Sequence, residues 1–113
     1  MKRLRSLNMA ITKEGEVKKQ IKAILDKAGV YYFMPSGNGY GRSGIPDFVC
    51  CVRGKFLAIE AKARDLQPTA IQARELSRII AHEGTGIYIN AENIHELPLL
   101  LEAVFNRTSL LDK

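Results

Sequence analysis

Cysteine is scarce in this chain, and acidic residues are in deficit. The two cysteines, Cys50 and Cys51, are neighbours. On a strand, adjacent side chains leave opposite faces, so a bridge between them would be strained. No other cysteine offers a partner. A disulfide scaffold is excluded, and a reducing, cytoplasmic setting (a bacterial or phage-infected cell) is expected. Long apolar runs are missing as well. No hydrophobic stretch follows the basic opening Met1-Lys2-Arg3-Leu4-Arg5, so neither a signal peptide nor a membrane span is expected. Repeats and low-complexity blocks are also lacking. Acidic residues number 12 against 17 Lys and Arg, a net charge of +5. That balance favours a polyanionic partner, nucleic acid first.

What is present suffices for one domain. A chain of 113 residues buries roughly two-thirds of the surface its unfolded form exposes, and needs no staples. Residues 1–12 read as an N-terminal arm, and 13–113 as a single domain.

The spacing of Val17, Ile21, Ile24, Leu25 and Ala28 predicts a helix from about Lys13 to Ala28. Thr12 is its expected N-cap and Gly29 its stop. Val30 to Met34 reads as a strand. A glycine-rich loop follows, from Pro35 to Gly44. Asp47 to Val52 and Lys55 to Lys62 read as two further strands, joined by a tight turn at Arg53-Gly54 or Gly54-Lys55. A helix is expected from Thr69 to about Glu83, ended by Gly84, then a strand from Gly86 to Asn90. A last helix spans Glu92 to Phe105, with Pro98 kinking it or delaying its start. This order of helix, three strands, helix, strand and helix implies an α/β domain with a mixed sheet flanked by helices.

The third strand carries an anomaly. In Phe56-Leu57-Ala58-Ile59-Glu60-Ala61-Lys62-Ala63 both faces begin apolar, so the strand should be central and covered on both sides. Glu60 and Lys62 then share a face where charge is expensive to desolvate. A chain tolerates that cost most often at a functional site. With Arg53-Gly54 as the turn, Asp47 lies across from Glu60. With Gly54-Lys55, it lies across from Lys62. Either register puts all three side chains on one face; only an odd-length loop would send Asp47 to the other.

Two carboxylates that repel each other suit a hard cation, Mg²⁺ or Mn²⁺. A nearby lysine can orient water or stabilise charge on a phosphoryl group. These parts describe phosphodiester hydrolysis, and a basic surface supplies counter-charge for a nucleic-acid backbone. Competing chemistries lack their residues. His82 and His95 stand apart without ligand spacing, and the loop before Asp47 has no lysine-serine/threonine ending of a P-loop. Cys50 and Cys51 fall within a strand, where thiols usually serve as core.

Gly44-Ile45-Pro46-Asp47, then Glu60-Ala61-Lys62, then Gln72, resemble the VRR-Nuc branch of the PD-(D/E)xK nuclease superfamily. The resemblance runs from about Glu14 to Asn90, and the short chain is similar to stand-alone, phage-type members. It implies a restriction-endonuclease-like core. It implies that Asp47 and Glu60 ligate Mg²⁺ or Mn²⁺, with the Ala61 carbonyl nearby, and that Lys62 is the catalytic lysine. A glutamate on the first helix completes such a site. Glu14 and Glu16 compete, and Glu14 continues the stripe of Val17, Ile21 and Leu25. Gln72 matches the family's glutamine. In the glycine-rich loop, Gly44 would let a phosphate backbone approach, and Tyr40 and Arg42 would contact DNA. Stand-alone members resemble Holliday-junction resolvases and act as homodimers. Met9, Ile11 and the segment Leu97-Pro98-Leu99-Leu100-Leu101 are candidate dimer surfaces, although the last suits a core-facing helix better. The alternatives are a nuclease for flaps, nicks or single strands, and a non-catalytic nucleic-acid-binding protein that keeps the fold.

Overall fold

The computed structural model describes residues 13–36 and 42–111, with side chains described to Val104. The N-terminal arm with Met9 and Ile11, the expected cap Thr12, and Tyr40 lie outside the described residues.

The first helix, α1 (Glu14–Lys27), begins at Lys13, which has extended backbone and makes no side-chain capping bond. It buries Val17, Ile21 and Leu25, one residue per turn on a single stripe. Gly29 stops it with φ +70°. There the N–H of Val30 donates to Leu25 O at 3.0 Å and that of Gly29 to Asp26 O at 3.1 Å. These two bonds form the Schellman ending that glycine allows.

Three strands follow, β1 (Tyr31–Phe33), β2 (Phe48–Val52) and β3 (Lys55–Ala61). Arg53 and Gly54 both have positive φ, 51° and 87°, as a two-residue type I′ turn requires. Val52 therefore opposes Lys55, and Phe48 opposes Ile59. This is the first of the two registers the sequence allowed. The next step of the ladder brings Asp47 level with Glu60.

Helix α2 (Ala70–Ala81) leads to β4 (Thr85–Ile89). The sheet order is β1-β2-β3-β4. The first three strands are antiparallel neighbours and β4 runs parallel to β3, so the sheet is mixed. Strand β3 is central, and it is buried continuously from Leu57 to Ala61.

A short 3₁₀ turn (Ile94–Glu96) precedes α3 (Leu97–Leu111). Pro98 thus delays the helix start rather than kinking its middle, the position where its missing N–H costs least. Leu97, Leu101 and Val104 are buried in the core, while Leu99 is exposed. Helices α1 and α3 share one apolar cluster with Phe48, Cys50, Val52, Leu57, Ile59 and Ile89. Helix α2 lies on the opposite face. A Cβ at Gly86 would stand 3.0 Å from Leu76 O, so glycine lets that helix sit close to β4.

The second helix ends differently from expectation. The left-handed residue is Glu83, φ +70°, not Gly84. Gly84 is needed for packing instead: a Cβ there would meet Ile79 Cγ2 at 2.8 Å and Phe56 Cδ1 at 3.2 Å.

Candidate active site

Asp47 precedes β2 directly, and its carboxylate continues the ladder. Its Oδ2 accepts a hydrogen bond of 2.8 Å from the backbone N–H of Ala61. Its Oδ1 lies 3.4 Å from Lys18 Nζ. The same ammonium lies 3.4 Å from Glu14 Oε2. Glu14 thus reaches the site through Lys18.

Glu60 is only 3% exposed. Its Oε2 accepts from Gln72 Nε2 at 2.9 Å. Its Oε1 is buried and has no hydrogen-bond partner among the described residues. Burial, with the adjacent Asp47 carboxylate adding to it, pushes the Glu60 carboxyl up to about 8, while Lys62 pulls the other way. The backbone N–H of Lys62 donates to Ile89 O at 2.9 Å, which fixes where the half-buried lysine leaves the sheet.

Lys62 Nζ donates to Gln72 Oε1 at 3.2 Å. Gln72 also belongs to the capping box of α2. Its Oε1 accepts from the Thr69 N–H at 2.9 Å, and its own N–H donates to Thr69 Oγ1 at 3.3 Å. Because Oε1 must face two donors, Nε2 is left to face Glu60. The cap therefore sets the orientation of the amide, and the amide holds both Glu60 and Lys62.

The glycine-rich loop is tied to α2. Arg42 donates from Nε to Glu75 Oε2 at 2.9 Å and from Nη2 to Glu75 Oε1 at 3.3 Å. Arg78 adds a third bond to Glu75 Oε2 at 3.3 Å. Hydrogen bonding to Arg42 lowers the Glu75 carboxyl below its ordinary range despite burial. Gly44 has φ +81°, and a Cβ there would fall 2.6 Å from Ile71 Cγ2 and 2.9 Å from Ile71 O. Its need for glycine is met inside the protein, by contact with α2. Arg42 remains largely exposed beyond its pair with Glu75.

The structure brings Asp47, Glu60, Lys62 and Gln72 together, with Glu14 one ammonium away. Glu14 is the outlying member. Among the described residues, no three His, Cys, Asp or Glu side chains form a metal-binding group. Asp47 and Glu60, with the Ala61 carbonyl, nevertheless suit a hard cation: an orphaned buried carboxylate oxygen beside a second carboxylate is a donor set lacking its positive partner. Sequence reasoning missed Lys18, Thr69 and Glu75. The i, i+4 spacing of Glu14 and Lys18 was a local signal. So was the Thr-x-x-Gln pattern of the capping box.

The other nucleophile candidates do not enter. Cys50 is buried, and burial pushes its thiol up to about 12. Cys51 is exposed, so the expectation that both thiols are core holds for one of them. His82 Nδ1 lies 2.8 Å from Arg78 O at the end of α2.

No known family profile and no curated protein sequence matches the chain. Among solved structures, a VRR-Nuc domain is similar to it at 28% identity with a TM-score of 0.62. The match covers 76% of this chain and 94% of that one.

Proposed function

We propose that this chain, which is similar to a VRR-Nuc domain over 76% of its length, is a divalent-metal-dependent endonuclease for branched DNA, four-way junctions first. The observation that carries the reading is Glu60: buried, one oxygen without a donor, beside Asp47, and linked to Lys62 through Gln72.

In this reading Asp47, Glu60 and the Ala61 carbonyl hold Mg²⁺ or Mn²⁺. When bound, such an ion draws charge from a phosphoryl oxygen and makes a neighbouring water a better nucleophile. The residues of the chain do the rest. Lys62, held by Gln72, faces the charge that builds on the phosphoryl oxygens. Gln72 keeps the Glu60 carboxylate in one orientation. Arg42, braced by Glu75, offers the exposed part of its guanidinium to a backbone phosphate.

A four-way junction has two-fold symmetry, and cutting both strands needs two active sites, so the reading includes two copies of the chain. The free thiols of Cys50 and Cys51 suit a reducing, cytoplasmic setting.

The test is cleavage of labelled four-way junction, flap, nicked and plain duplex with Mg²⁺, Mn²⁺ or EDTA. Junction cleavage with either metal and none in EDTA is expected. Cleavage in EDTA overturns the metal mechanism. Preference for flap or nick overturns the junction assignment. Binding without any cleavage identifies a non-catalytic binding protein.

A further inference from the structure

The acidic side chains around the site do not all face one another. Read from the start of α1 inward, the order is Glu14, Lys18, Asp47, Glu60. Lys18 Nζ stands 3.4 Å from Glu14 Oε2 and 3.4 Å from Asp47 Oδ1. Asp47 has its other oxygen on the Ala61 N–H. The orphaned Glu60 Oε1 lies beyond Asp47. One gap between carboxylates therefore holds an ammonium, and in the other no cation stands against Glu60 Oε1 among the described residues.

Lys18 is anchored where it stands. It follows Val17 and precedes Ile21, both fully buried, so the roll of α1 about its axis is set by the core. Its side chain is 31% exposed, against 46% for Glu14. An ammonium is a compact point charge with three N–H donors. A divalent ion between Glu14 and Asp47 would need their oxygens at roughly 2.0–2.6 Å. The lysine already fills that gap, and two cations cannot share it without strong repulsion.

We infer that Lys18 stands in for a second divalent cation: the site takes one metal ion, between Asp47 and Glu60, while Glu14 holds Lys18 rather than metal. The inference rests on the metal-dependent reading above. Ion-paired with Glu14 and Asp47, Lys18 offers its positive charge to a phosphate oxygen of the substrate. This gives the glutamate on α1 a different role from that of a metal ligand. It positions a lysine.

Titration calorimetry with Mn²⁺, without DNA, tests it on wild type, Lys18→Met, Lys18→Arg and Asp47→Ala. Wild type and Lys18→Arg should each bind one ion per chain. Lys18→Met should bind a second ion, or bind the first several-fold more tightly, because Glu14 and Asp47 are released to it. Asp47→Ala should lose binding. In cleavage assays Lys18→Met should fall roughly 100-fold, the loss typical for one charge-stabilising group, and Lys18→Arg should recover part of it. Two ions per wild-type chain, or a Lys18→Met isotherm matching wild type, overturns the inference and leaves the metal reading standing. No Mn²⁺ binding by wild type removes both.

Discussion

The side-chain amide of Gln72 donates to Glu60 Oε2 at 2.9 Å, and this contact ties the start of α2 to the carboxylate pair. Gln72→Ala removes it together with half of the capping box. Stability should fall by about 1 kcal/mol, as for one hydrogen bond or cap. Cleavage should fall further than that loss explains, roughly 10–100-fold, because a residue that orients a metal ligand is lost. Thr69→Ala provides the comparison. It loses the other half of the box, the bond from the Gln72 N–H to Thr69 Oγ1, but keeps the Thr69 N–H on Gln72 Oε1, so the Gln72 amide still reaches Glu60. Urea melts and single-turnover cleavage on both variants decide the matter. Equal cleavage by the two would reduce Gln72 to a helix cap.

Lys62 is held at the site by its hydrogen bond to Gln72, and is only half-buried. Lys62→Ala should therefore leave the melting temperature nearly unchanged and lower cleavage by roughly 10²–10³. DNA affinity measured in EDTA should stay within a few-fold of wild type. Retention of full activity would remove Lys62 from the chemistry.

The metal-free protein should lose stability with rising pH. Burial first, and the Asp47 charge second, raise the Glu60 carboxyl to about 8. Folding thus favours its protonated form. That contribution is complete below the ordinary carboxylate range and disappears as pH climbs through about 8. The melting temperature in EDTA should drop by several degrees between about pH 5 and about pH 9. Glu60→Gln, uncharged throughout, should flatten the slope. Mn²⁺ should raise the melt most at the alkaline end, where both carboxylates are ionised. A slope unchanged in Glu60→Gln would place its origin elsewhere.

The pair of Arg42 and Glu75 separates positioning from contact. Arg42→Ala removes a phosphate partner, so DNA affinity should fall and its dependence on log salt should lose about one unit of slope. Glu75→Ala keeps the guanidinium but frees it, so affinity should fall less and the slope should hold. Fluorescence anisotropy over a salt series reads both. An unchanged slope in Arg42→Ala would leave Arg42 as a loop anchor only.

Much of this was legible in the sequence, for reasons that differ by residue. The burial of β3 on both faces follows from its apolar run, and Glu60 stands out because it breaks that run. The level placement of Asp47 and Glu60 follows from the parity of a two-residue turn. Lys18 was not legible as a site residue. Its spacing from Glu14 is local, but its contact with Asp47 depends on how α1 crosses the end of the sheet. Glu75 looked like one more helix charge, because its main partner, Arg42, is 33 residues away. Arg42 and Gly44 suggested a surface for DNA, and their inward contacts with Glu75 and Ile71 could be known only once α2 was in place. Glu83 was hidden by a stronger local signal, the glycine that follows it.

That misplaced glycine signal yields a last prediction. Glu83 occupies the left-handed position after α2 at φ +70°, where its N–H donates to Ile80 O at 3.0 Å and the Gly84 N–H donates to Ile79 O at 2.9 Å. A residue with a Cβ is strained there, by about 1 kcal/mol. Glycine relieves the strain but gains freedom in the unfolded chain, which offsets part of it. Glu83→Gly should therefore stabilise the domain by roughly 0.5 kcal/mol. Gly84→Ala should do the opposite and cost more, about 1–3 kcal/mol, because its Cβ would meet Ile79 and Phe56. Both changes lie away from the carboxylates, so cleavage rates should stay at wild type while the denaturation midpoints move apart. If Glu83→Gly lowers the midpoint instead, the Glu83 side chain makes a contact worth more than the strain it tolerates.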